Sequence, residues 1–134
     1  MGITKNHIEE EEKNFRLNLT PVLNECIGDL TLLQELVMLF NMNVLEFIGM
    51  AKVYIKNEDY ESLKFSIHKI KTGLKMIKID ALHNCLIQME VTIVDDEVDR
   101  MQLNFLYECF TEEYQIVEEQ LAEELERLSD EYIE

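Results

Sequence analysis

Residues 36–55 read LVMLFNMNVLEFIGMAKVYI, the most apolar stretch of a 134-residue chain. The stretch is long enough to raise the question of a membrane span, but Asn41, Asn43, Glu46 and Lys52 interrupt it, so it reads as a buried helix. At about 100° per residue, Leu33, Leu36, Val37, Phe40, Val44, Phe47, Ala51 and Tyr54 form one stripe. Met38, Leu39, Met42, Leu45 and Val53 lie roughly opposite. The first stripe belongs in a core, and the second requires a cover. That cover is either the N-terminal segment or a docking partner that exploits the adaptable methionines.

The same helical spacing continues on both sides, with one proline and four glycines to interrupt it, so the whole chain reads as helix. Upstream, the acidic leader through Lys13 reads as a frayed or loosely docked helix. Thr20 and Pro21 then form a helix start, with the threonine as cap, and Gly28 ends that short helix. Asp29 caps the long helix, which runs to about Lys56. Asn57 or Asp59 caps a third helix, and Lys78 with Ile79 forms the next turn. A fourth helix, capped by Asp80, is predicted to reach about Val94, with a turn at Asp95, Asp96 and Glu97. The last helix, from about Val98 to Tyr132, carries Leu103, Leu106, Phe110, Val117, Leu121, Leu125 and Leu128 on its apolar face. Its densely acidic end is expected to project into water. Short connections between long amphipathic helices predict an all-α, antiparallel four-helix bundle with an additional N-terminal helical segment. Residues 1–19 form the acidic extension and 20–134 the bundle domain.

With 28 acidic and 12 basic residues, the chain has a formal net charge of -16, which argues against nucleic acid or anionic lipid as partner. Cys26, Cys85 and Cys109 are odd in number and widely spaced, and suggest neither a zinc site nor a disulfide framework. A reducing, cytoplasmic compartment is expected, with no membrane insertion, and the first residues hold no apolar signal-peptide core. A monomer is expected.

Against this acidity, the segment FSIHKIKTGLKMIK at 65–78 stands out. A lone helical histidine is ordinarily a surface residue or a satisfied core residue. Here Leu63, Ile67, Ile70, Leu74 and Ile77 cluster nearly behind His68 on the wheel, so the imidazole should face solvent. Lys64, Lys71 and Lys75 fall on its own face, and Lys69 and Lys78 complete the cationic window. Ser62–Ile79 contains no Asp or Glu, which on sequence alone leaves these lysines free for an external anion. A neutral imidazole is a nucleophile near physiological pH, and a phosphorylated imidazole nitrogen can hand its group on. Ammonium groups beside it would stabilise the equatorial oxygens during in-line transfer. Thr72 and Gly73 leave room for another protein's active site, while Phe65 and Met76, with Met42 and Leu45 of the long helix, are candidate docking residues.

The run His68-Lys69-Ile70-Lys71-Thr72, followed by Ile77, Leu82, Met89 and Glu90, resembles the signature of histidine-containing phosphotransfer (HPt) domains. The resemblance spans about residues 28 to 115. It implies a four-helix bundle that relays phosphoryl groups between receiver-domain aspartates, with His68 as phosphoacceptor and Lys71 as the phosphoryl-stabilising residue. Thr72 and Gly73 would be the small positions under the receiver, and Lys64, Lys69 and Lys75 a supporting basic face. It also implies no nucleotide hydrolysis and no cofactor of its own, the magnesium belonging to the partner receiver. The chain departs from the family at Thr72 and Lys78, where glycine is common.

Histidine-kinase dimerisation helices are similar to a pattern of histidine, acidic residue and nearby proline, whereas Lys69 follows His68 and no proline does. A di-iron bundle would need two Glu-x-x-His pairs. His7, His68 and His83 are preceded at that spacing by Thr4, Phe65 and Asp80, and His7 and His83 read as solvated or structural. The competing reading is an acidic helical interaction module in which His68 is incidental.

Overall fold

The computed structural model describes residues 17–77, 79–94 and 97–132. Helices α1 (Thr20–Glu25), α2 (Leu30–Lys56), α3 (Tyr60–Gly73) and α4 (Asp80–Thr92) lead into a ladder of β1 (Ile93–Val94) and β2 (Glu97–Val98). Helix α5 (Arg100–Tyr132) follows. Two of the starts are capped by the expected aspartates: Asp29 accepts the Leu32 N–H at 3.2 Å, and Asp59 accepts that of Ser62 at 3.2 Å. Each such cap stabilises its helix by about 1 kcal/mol.

Two expected caps are placed differently. Thr20 is the first residue of α1 rather than its cap, because Asn18 Oδ1 accepts the Thr20 N–H at 2.9 Å and makes the turn itself. Asp80 likewise opens α4 from inside, and buried Ile79 occupies the cap position without a side-chain bond. There the boundary follows burial of the isoleucine rather than capping chemistry. Gly28 does end the α1 turn: with φ at 74° its N–H reaches the Leu23 carbonyl at 3.0 Å.

The fourth helix stops at Thr92, short of Val94, and the chain turns through an antiparallel pair, Ile93 with Val98 and Val94 with Glu97. Three successive β-branched residues, Thr92, Ile93 and Val94, favour that exit. Helix α5 then begins at Arg100, with Asp99 Oδ1 accepting the Gln102 N–H at 3.1 Å. Lys78 and the acidic leader through Lys13 lie outside the described residues.

Helices α2, α3, α4 and α5 pack in a closed ring, each on its chain neighbour and α5 back on α2, with α1 against α2. The result is an all-α helical bundle. Helix α2 has the length and hydropathy of a membrane span, but Leu33, Val37, Phe40, Val44, Phe47 and Ala51 are buried inside the bundle, with Leu36 and Tyr54 partly so. The opposite stripe, Met38, Leu39, Met42, Leu45 and Val53, is exposed among the described residues. On α5 the expected apolar face is buried, Leu125 partly, and Tyr114 joins it. Phe110 meets Phe47 edge-on at 5.3 Å in the middle of the core. Tyr107 and Tyr114 tie α5 to α2, donating to the Ile48 carbonyl and to Asn41 Oδ1, each at 2.7 Å.

The acidic end of α5 does not simply project into water. Glu124 is 6% exposed and accepts the Leu19 N–H at 3.0 Å, while Arg127 Nε donates to its other oxygen at 2.8 Å. The same guanidinium reaches Thr20 Oγ1 at 3.1 Å and Glu131 at 2.8 Å. One arginine thus offsets two carboxylates, so α1 can close over this end of the helix.

Candidate functional site

His68 lies on the exposed side of α3, with Leu63, Ile67 and Ile70 of the same helix buried behind it. Helix α3 is shorter than its apolar spacing suggests. It ends at Gly73, Leu74 takes the cap position, and Leu74 and Ile77 bury themselves from the turn that follows. Thr72 and Gly73 are weak helix formers, which accounts for the early stop. Lys64 and Lys71 therefore keep their places one turn either side of His68. Lys75 lies beyond the helix and does not share the face of His68 by helical spacing; its N–H donates to the Thr72 carbonyl at 3.3 Å from within the turn.

The flank of α3 that faces α4 is ionic. Lys71 Nζ donates to Glu90 Oε1 of α4 at 2.7 Å, with both side chains 24% exposed. The lysine window is therefore not wholly free of partners, since the carboxylate arrives from another helix. Among the described residues, Lys64, Lys69 and Lys75 make no ion pair. The Thr72 hydroxyl is turned onto the backbone, donating to the His68 carbonyl at 3.2 Å, so it adds bulk but no free donor beside the imidazole.

The flank that faces α2 is an apolar groove of about 350 Å³. Met50, Phe47 and Tyr54 line it from α2 and Phe65, Lys69 and Gly73 from α3, with Asn43 and Glu46 at the polar edge. Phe65 is 73% exposed and Met50 43% exposed. A methyl at Gly73 would come no closer than 4.0 Å to Asn43, so the groove is open at that position. Met42, Leu45 and Met76 are exposed but do not line the groove. Sequence reading missed Met50, which belongs to neither stripe of α2. Pairing α2 with α3 around the Asn57–Asp59 turn would have brought it level with Ser66.

Other reactive groups lie apart from this constellation. His83 is half-buried on α4, and His7 is outside the described residues. Cys26, Cys85 and Cys109 are free thiols. Burial, and then the neighbouring Cys109 and Glu113, push the Cys85 thiol up, which makes it a poor nucleophile. Comparison of the chain with protein-family models, with curated proteins and with solved structures gave no match. The functional reading therefore rests on the residues themselves.

Proposed function

We propose that the protein is a histidine phosphotransfer domain that accepts a phosphoryl group on His68 from one receiver aspartate and passes it to another. The observation that carries this reading is an exposed imidazole on the outer side of a bundle helix, between a lysine one turn on and an open apolar groove. In the forward step the lone pair of an imidazole nitrogen attacks phosphorus. The N–P bond forms as the acyl P–O bond breaks, and its electron pair returns to the aspartate as carboxylate. The reverse step loads the next receiver. Lys71 and Lys64 lower the cost of charge on the transferring oxygens, and magnesium belongs to the receiver. On this reading the protein is a cytoplasmic monomer that neither binds nor hydrolyses nucleotide.

The test is incubation with radiolabelled, aspartyl-phosphorylated receivers. The expected result is an acid-labile, base-stable label on the protein; no label from several receivers would overturn the proposal. That outcome would favour an interaction module built on the exposed α2 stripe. The groove makes a separate claim. Phe65→Asp places a charge where a partner would have to desolvate it, so transfer from a receiver is expected to be lost while helical circular dichroism is unchanged. Unchanged transfer would remove Phe65 from the docking surface.

A further inference from the structure

No acidic residue occurs in Ser62–Ile79, yet Lys71 does not stand alone. Glu90 crosses from α4 to hold its ammonium at 2.7 Å, in a pair only a quarter exposed. The helix is continuous over Tyr60–Gly73, so His68 and Lys71 are neighbours one turn apart, with Cβ atoms about 5–6 Å from each other. We propose that Glu90 is a positioning residue that holds Lys71 beside His68 and competes with the phosphoryl group for it. The pair thereby sets how strongly the phosphorylated state is favoured. The inference rests on His68 being the phosphoacceptor.

A phosphoryl group brings up to about two negative charges to the imidazole nitrogen. The ammonium one turn away is the natural counterion, but it already has a carboxylate partner. On phosphorylation Lys71 must be shared between the two anions or surrendered by Glu90. Coulomb energies at this distance are damped where solvent reaches the pair, so the effect is a bias rather than a block. Such a bias suits a relay. A phosphohistidine held less tightly than a free lysine would hold it is more readily passed on. Lys64 and Lys69, unpaired among the described residues, carry no such competing anion.

Glu90→Gln keeps the shape and an oxygen acceptor for Lys71 but removes the charge. Phosphoramidate tests this without a receiver: a His68 nitrogen bonds phosphorus as the reagent's own P–N bond breaks, and ammonia leaves with a proton. At a fixed ratio of phosphoramidate to ammonia, the ratio of phosphorylated to free His68 is read by phosphorus NMR and intact mass. Glu90→Gln is expected to raise it about two- to fivefold, in keeping with the coupling of a partly exposed ion pair. Lys71→Ala is expected to lower it, and Glu90→Gln added to Lys71→Ala to change nothing further. A merely structural role would act equally in both backgrounds. An unchanged ratio in Glu90→Gln, or an equal rise without Lys71, would overturn this inference alone. Failure of phosphoramidate to label wild-type His68 would overturn the phosphotransfer reading and this inference with it.

Discussion

His68→Gln is expected to abolish phosphoryl uptake completely while leaving the fold in place. Glutamine retains a polar side chain of similar reach and is a good helix former, so on the exposed side of α3 the substitution should change stability by no more than about 0.5 kcal/mol. What it removes is the nitrogen lone pair that attacks phosphorus, and among the described residues no other nucleophile is placed to substitute. His83 sits half-buried on α4 with no lysine three residues on, and the nearby Cys85 thiol is held protonated by burial. Radiolabel counted after gel electrophoresis under alkaline conditions should therefore fall to background in His68→Gln and persist in His83→Gln. Label retained in His68→Gln would remove His68 from the chemistry, however well the rest of the site fits.

Phe110→Ala is expected to be the most damaging single truncation of the core. The ring is fully buried, meets Phe47 edge-on, and lies where α5 crosses the main stripe of α2. Its removal forfeits aromatic burial and leaves a cavity that helices held by their neighbours cannot close, at a cost of about 3–5 kcal/mol. Domains of this kind have only about 5–15 kcal/mol to lose. The melting temperature followed by circular dichroism should fall by roughly 10–20 °C. A loss below about 1 kcal/mol would mean that the core relaxes around the gap and that the Phe47–Phe110 contact is peripheral to stability.

What could be read from the chain depended on whether a signal was local. The two faces of α2 were legible because the helical period repeats over many turns, and Asp29 and Asp59 because a cap acts within three residues. The exposure of His68 followed from the isoleucines and leucines of its own helix. Signals that cross between elements were not legible. The partner of Lys71 is nineteen positions away on α4, so a window without acids around His68 gave the wrong impression of a free cation. Glu124 looked like one more solvated acid at the end of α5, and only the packing of α1 makes it a buried acceptor. Tyr114 is buried on the apolar face of α5 because Asn41, on another helix, satisfies its hydroxyl across the bundle. The ladder at 93–98 has two residues in each strand, too few for alternation to register.

The contact between α1 and the end of α5 also has a kinetic side. The α2–α3 and α4–α5 pairs close across short turns, whereas the Leu19–Glu124 bond joins residues 105 positions apart. Loop-closure entropy makes such a contact worthless until most of the intervening chain is already ordered. The bond between the start of α1 and the end of α5 is therefore expected to be among the last contacts to form as the protein folds. The short length of α1 and its single buried side chain, Leu23, make it the first to release in the native state. Its amides are expected to exchange with deuterium well before those of α2 and α5, so that the bundle keeps its core while this one corner opens and closes.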